Sequence, residues 1–546
     1  MQRHAALLCA GLILVFLLAA ALRFYGLNWD GGLGAHPDER YVVGVAEKVR
    51  WPDGLNPLDI APGFAYGHLP PYVLALLVGL IPSADPLLIG RALSALFDLG
   101  TVALTFALAR RLYGKGAGLL ASAFVALMVV HVQQAHFFTV DTPLAFFTLG
   151  ALLFSVRLSC CGRSLDAWLA GVWTGLALGT KFSAALLLLP LGTAHAVLPG
   201  GSAVRRRHVV QSGMGVLAAF ALTNPFALIA FPAFWHNVAD QAARARGILD
   251  VPYTRQFHGT CPYLYPVVQQ LRWGMGWPLG LVVFGGLAYA IWQAVRTPPR
   301  PAEWVVLAWT VPYFAFVGAL YVKFPRYLLP LTPLLAIYGA HVLFALAREK
   351  PWGSFLACVI LMYSFLHALA FVSLYRSPHP WLAASRWFYD RVPPGAVVAV
   401  EQWDHPLPLD GTGYHVRELP VFDEDTPGKW AAMEEVLAQA DYVVIASRRG
   451  YATLARWPER YSRTARYYRL LFEGNLGFEH AACFGRYPRL GPLALVDDPT
   501  EGLGFSLPAP CQPELPIGLC LRRLDESFIV YDHPLVVILR RAGIGL

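Results

Sequence analysis

Charge is what this chain has least of. Only 14% of its 546 residues are Asp, Glu, Lys or Arg, against about 25% in a soluble domain. The shortage excludes an ordinary water-soluble enzyme, because 56% of the residues are hydrophobic and they come in long runs. Cysteine is scarce as well. There are eight, none in CxxC spacing, and no HxxxH pair occurs, so no motif announces a metal cluster. Internal repeats are absent too. The net charge of +8 comes from basic residues scattered in short clusters between apolar runs. That pattern belongs to the loops of a membrane protein and not to a nucleic-acid-binding surface.

What is present is a series of spans. A membrane-crossing helix needs about 20 apolar residues. Eleven stretches qualify, near 5–24, 87–109, 117–134, 139–156, 166–180, 183–199, 209–230, 277–295, 303–321, 327–346 and 352–374. The first could be read as a signal peptide, but no clear cleavage pattern precedes Arg23-Phe24-Tyr25, which favours an uncleaved helix. Basic residues fall at every second junction: Arg3, Arg110/Arg111/Lys115, Arg157/Arg163, Arg205/Arg206/Arg207, Arg296/Arg300 and Arg348/Lys350. The positive-inside rule then puts the N-terminus in the cytoplasm of an integral membrane protein of the cytoplasmic (inner) membrane. Loops 25–86, 131–141, 231–276 and 321–327, the turn near Lys181 and the C-terminal tail face out.

The outer loop 25–86 carries two helical patterns, Val42 to Val49 and Leu69 to Ile81. The second is too short to span, and both read as helices lying in the interface. After about residue 375 charges return. Short β-rich runs at 396–400, 441–446 and 527–531 alternate with a helical stretch at 430–440, the pattern of a small extracytoplasmic α/β domain. The expected division is 1–374, membrane domain, and 375–546, outer domain. Cys261, Cys483, Cys511 and Cys520 lie outside by this topology. A Cys511–Cys520 disulfide is one reading and free thiols another.

The most informative segment is His36-Pro37-Asp38-Glu39-Arg40, where the chain leaves its first span. Ionisable residues held close to lipid mark function by default. Further on stand Tyr66-Gly67-His68-Leu69-Pro70-Pro71, Gly90-Arg91-Ala92-Leu93-Ser94, Thr139-Val140-Asp141-Thr142-Pro143, Gly179-Thr180-Lys181-Phe182 and Pro325-Arg326-Tyr327-Leu328-Leu329-Pro330. This ordered set, over roughly residues 1–350, resembles the GT-C fold glycosyltransferases. Within them it resembles the family 39 group related to protein O-mannosyltransferases and to the bacterial aminoarabinose transferase of lipid A. The resemblance implies a polyprenyl-phosphate-linked sugar as donor and a lipid, glycan or protein acceptor. It also implies transfer with inversion on the outer face, and an acid in the first outer loop that acts on the acceptor, matched here by Asp38.

The residue types suit that chemistry. Inverting transfer needs a base for the acceptor hydroxyl and cations facing the leaving phosphate. Asp38 and Asp141 are the candidate catalytic residues. Lys181, Lys323 and Arg326 are outward-end cations in apolar surroundings. With His36, Glu39, Arg40 and His136 they make the candidate substrate-binding set, although Glu39 on a helix would point about 100° from Asp38. Plainer readings stand beside these. Asp38 and Asp141 could cap the helices that follow them, and the cations could snorkel at helix ends. No cofactor is called for; a divalent metal held by His36, His131 and His136 with an acid is the one candidate. Asp98 lies inside a span, with Arg91 or a residue of another helix as its expected partner. Aromatic residues in loop 231–276 read as an interfacial belt. The competing class is a transporter or flippase of a lipid-linked sugar, but the charges gather on one face and no repeat is found.

Overall fold

A computed structural model describes residues 2–512 and 517–543. The chain divides into two units. The first comprises residues 1–27, 36–246 and 261–368; the second comprises 28–35, 247–260 and 369–546.

The first unit is helical. All eleven apolar stretches form helix. Among the described residues six helices, beginning at Ala6, Pro86, Asp141, Trp277, Pro301 and Pro351, are long and apolar enough to cross a membrane. A seventh candidate is bent by 59° between Lys115–Leu127 and Val129–Ala135. The others are shorter or more charged. Ser164–Leu178 has 15 residues, the stretch at 183–199 splits into a 3-10 turn and the helix Leu188–Ala196, and Ser202–Thr223 carries Arg205, Arg206 and Arg207.

The bend has a local cause. A broken helical ladder leaves carbonyls without partners, and apolar surroundings offer none. Arg23, fully buried at the end of the first helix, supplies them. Its guanidinium donates to the carbonyls of Ala126 at 3.0 Å and Val125 at 3.1 Å, one turn before the break. Its Nε donates to Asp98 at 2.6 Å. Asp98 also bonds His131 at 2.6 Å, and the other ring nitrogen of His131 lies 2.8 Å from Thr332 Oγ1. Asp98 therefore takes partners from two other helices. Arg91 bonds Glu39 instead.

The outer loop folds as the two expected helices, Pro37–Lys48 and Leu69–Leu80. Between them Gly67 makes a close approach. Its N–H donates to the Thr180 carbonyl at 3.0 Å, and the N–H of Leu69 donates to that of Gly179 at 3.1 Å. A Cβ at Gly67 would sit 2.0 Å from the Gly179 carbonyl oxygen, so only glycine fits.

Among its described residues the second unit holds eight strands: β1 Val397–Glu401, β2 His415–Leu419, β3 Tyr442–Ile445, β4 Phe478–Phe484, β5 Arg489–Leu490, β6 Leu493–Val496, β7 Ile517–Cys520 and β8 Val536–Arg541. The main sheet runs β2-β1-β3-β8-β4, parallel across its first three strands and antiparallel beyond. The helix Pro427–Gln439 links β2 to β3. Every residue of β3 is buried, and β1 is buried over its last four, as expected of central strands covered on both faces. The remaining strands pair as β5-β6-β7.

Two sequence expectations fail here. The apolar run at 527–531 is not a strand. Glu526–Ile529 is one helical turn, started by Asp525, whose carboxylate accepts the Ser527 N–H at 2.9 Å. That local bond overrides β propensity, and the strand falls later, at β8. The disulfide joins Cys483 to Cys511, across 28 residues, and Cys520 is free. Strand β4 and the turn Ala509–Cys511 bring these two sulfurs together, which sequence spacing does not encode.

The inserted segments are bound within this unit. Arg255 grips Asp250 through two bonds of 3.0 Å, Asp250 also meets Arg460 at 2.7 Å, and His258 stacks on Trp457 at 3.8 Å.

Candidate active site

Asp38 occupies the first turn of the Pro37–Lys48 helix. His36 is the N-cap residue and makes no side-chain cap bond, while Pro37 sets the opening turn. The Asp38 carboxylate does not cap the helix. Its Oδ2 accepts from Arg326 Nη2 at 2.9 Å, and the side chain stays 27% exposed. The N-terminal end of the helix dipole also favours an anion there.

Asp141 begins the Asp141–Cys161 helix, with Val140 as the N-cap residue and no side-chain cap bond. Its carboxylate is nearly buried. Oδ1 accepts from Lys181 Nζ at 2.8 Å, and Oδ2 lies 3.6 Å from Arg326 Nε. The capping reading of both acids therefore gives way to a different arrangement. Asp38, Arg326, Asp141 and Lys181 form one chain of alternating charge, drawn from four separate places in the sequence.

Aromatic rings wall this array. Lys181 Nζ lies 4.7 Å from the Tyr327 ring centroid, and the Arg326 guanidinium lies 4.3 Å from that of Phe324. Tyr313 holds the Tyr327 backbone by donating to its carbonyl at 2.9 Å. Tyr66 feels Asp38, Asp141 and Arg326; burial and the neighbouring carboxylate of Asp38 raise its phenol well above its ordinary range.

The supports of the array are as specific as its members. Glu39 is fully buried on the same helix as Asp38. Its carboxylate takes Arg91 through two bonds, 3.0 and 2.8 Å, and accepts the Phe138 N–H at 2.8 Å. It thus ties the Asp38 helix to the Pro86–Tyr113 helix and to the turn that leads into Asp141. Lys181 is set by the Gly67 contact described above and by Asn224, whose Oδ1 accepts the His68 N–H at 2.7 Å. The His68 ring is buried between Phe64 and Tyr72, and burial pushes its pKa down to about 4.

The remaining sequence candidates have contacts of their own. His36 packs on Phe137 at 4.8 Å between ring centres. His136 lies within hydrogen-bonding distance of the Val132 and Tyr25 carbonyls, at 2.7 and 2.9 Å. Arg40 is exposed on the Asp38 helix. Lys323 turns its ammonium to the Tyr321 carbonyl at 2.8 Å, and burial lowers its pKa. Sequence reasoning did not find Arg91, Asn224 or Tyr327 as supports, although Arg91 and Tyr327 stand inside the motifs already quoted.

Among the described residues His36, His131 and His136 do not gather into one site; each has the separate surroundings given above. Asp38 and Asp141 share the Arg326 guanidinium. A cluster with metal-like spacing, His480 with Cys483 and Cys511, has its two sulfurs joined as the disulfide.

The fold is that of solved membrane glycosyltransferases of the GT-C type, and part of the chain matches a mannosyltransferase family model. Residues 68–228 match the family model described as dolichyl-phosphate-mannose-protein mannosyltransferase. The matched segment contains Arg91, Asp141 and Lys181. Among solved structures the chain is similar to the archaeal oligosaccharyltransferase AglB from Archaeoglobus fulgidus in complex with an inhibitory peptide and a dolichol-phosphate. The TM-score is 0.55 and the identity 14%, over 86% of this chain and 73% of that one. It is also similar to ArnT from Cupriavidus metallidurans in the apo state, with a TM-score of 0.50 and 16% identity, over 83% of this chain and 95% of that one. No curated protein sequence matches the chain.

Proposed function

We propose that the protein transfers a sugar, with inversion, from a polyprenyl-phosphate donor to an acceptor hydroxyl on the extracytoplasmic face of the cytoplasmic membrane. The observation that carries this reading is the Asp38–Arg326–Asp141–Lys181 chain. It pairs two carboxylates with two cations that alternate along it, in a site walled by aromatic rings. The alternation of basic junctions along the sequence supports a cytoplasmic N-terminus, with Asp38 and residues 375–546 outside.

The chemistry then runs as one displacement. The acceptor oxygen forms a bond to the anomeric carbon while the bond from that carbon to the phosphate oxygen breaks. The electron pair stays on the phosphate, and the hydroxyl proton passes to Asp38. Arg326 and Lys181 face the charge that grows on the phosphate. Without donor these cations are held by Asp38 and Asp141. An arriving lipid phosphate competes for Arg326, and that exchange frees Asp38 for the acceptor. Asp141 keeps Lys181 and Arg326 in register. Glu39 is a positioning residue acting through its helix. The lipid, glycan or protein nature of the acceptor is set by the groups that approach Asp38.

The test uses purified protein in nanodiscs with a panel of radiolabelled polyprenyl-phosphate sugars. Wild type consumes one donor, and Asp38→Asn binds that donor without turning it over. Equal turnover by both proteins would remove Asp38 from the mechanism.

A further inference from the structure

In open α/β sheets, ligands settle outside the carboxyl ends of parallel strands, where the strand order reverses. In the second unit that point lies between β1 and β3, since β1 pairs in parallel with β2 on one side and with β3 on the other. The chain leaves β1 through Gln402-Trp403-Asp404, and it leaves β3 through Ser447-Arg448-Arg449-Gly450. The two exits are fastened together. Ser447 Oγ donates to Asp404 Oδ2 at 2.7 Å, and Arg449 Nη1 donates to the Trp403 carbonyl at 2.6 Å.

Trp403 is held in an unusual state. Its φ is +64°, in the left-handed region that bulky residues avoid. Its side chain is not buried in return, and the residue is 51% exposed. Backbone strain at an exposed aromatic is a mark of function more than of packing. Beside it the buried amide oxygen of Gln402 and Oε2 of Glu401 have no hydrogen-bond partner among the described residues, although buried polar atoms are nearly always bonded.

The geometry points to a carbohydrate-binding site at this end of the sheet, with Trp403 as the stacking platform. A sugar ring offers an apolar C–H face to an indole and hydroxyls that both donate and accept. An anionic ligand such as a nucleotide fits less well, because the nearby guanidiniums are committed. Arg448 is bound to Asp497, and Arg449 to Glu526 at 2.8 Å. The Glu401 carboxyl, pushed up to about 8 by burial, is neutral at pH 7 and adds no charge.

Binding is measured without turnover, so the result does not depend on the transferase reading. Full-length protein in nanodiscs is titrated calorimetrically with soluble hexasaccharides of glucose, mannose, galactose, arabinose and N-acetylglucosamine. At least one is expected to bind. Trp403→Ala is expected to weaken it about tenfold, the scale of one lost aromatic contact, and Trp403→Phe to restore part of the loss. An unchanged melting temperature for the variants shows that they fold. The idea is overturned if no hexasaccharide binds, if Trp403→Ala binds as tightly as wild type, or if an unglycosylated Ser/Thr-rich peptide binds in place of the sugars.

Discussion

Replacing Glu401 by Gln should make the second unit more stable, and the gain should depend on pH in a defined way. Glu401 is the last residue of β1 and only 3% exposed. One oxygen accepts from Tyr468 at 2.7 Å; burial raises its pKa from 4.5 to about 8. Between these two values the folded chain holds a proton that the unfolded chain has released. Stability therefore falls as pH rises through that window, by about 1.4 kcal/mol per pH unit. Across the whole window the loss reaches roughly 5 kcal/mol at pH 9, and it is absent below pH 4. Gln keeps the shape and the acceptor for Tyr468 but carries no charge at any pH. The difference between variant and wild type isolates this one group from all others that titrate. The assay is urea unfolding of the full-length protein in nanodiscs, followed by circular dichroism of the sheet, at pH 4, 5, 6, 7, 8 and 9. The difference should be near zero at pH 4 and grow to several kcal/mol at pH 9. Parallel curves, or a variant less stable than wild type at pH 9, would refute the reasoning.

Three further outcomes follow from the first unit. Glu39→Ala leaves the buried Arg91 guanidinium without its carboxylate and should cost about 3–5 kcal/mol, seen as a lower melting temperature that Arg91→Met in the same chain largely restores. Gly67→Ala forces a Cβ against the Gly179 carbonyl and displaces the turn before Lys181; transfer should drop by up to about 100-fold with the protein still folded, read from turnover and a melting curve together. Arg326→Gln should lower turnover at saturating donor by about 10²–10³. Arg326→Lys should recover part of that, and equal rates for all three proteins would exclude a charge role for this residue.

Much of the helical architecture is legible because apolar periodicity is local: each of the eleven predicted stretches is helical. The boundaries shift where one residue intervenes, as at Asn224 and at the break after Leu127. The members of the charge chain are also legible one by one, because an ion beside apolar sequence stands out. Their pairing is not, since Arg326 meets a carboxylate 288 residues away and no local pattern records such a contact. The same limit explains Glu39, which sits beside Asp38 in sequence yet reaches Arg91 on another helix. It also explains the disulfide, where spacing suggests Cys520 and the fold delivers Cys483. The run at 527–531 was misleading for the opposite reason, because a single Asp-to-backbone bond outweighed its apolar composition.

The buried Arg23 cluster bears on how the protein is made. Arg23 leaves the ribosome early, but Asp98 follows 75 residues later and the carbonyls of Val125 and Ala126 about a hundred residues later. Until then the first helix carries a bare guanidinium at its end, which must stay near the lipid headgroups. The helix can sink to its final depth only when the bent pair and Asp98 arrive. Membrane insertion of the first three apolar segments is therefore expected to be concerted, and a chain stopped after residue 90 should hold its first helix raised toward the surface.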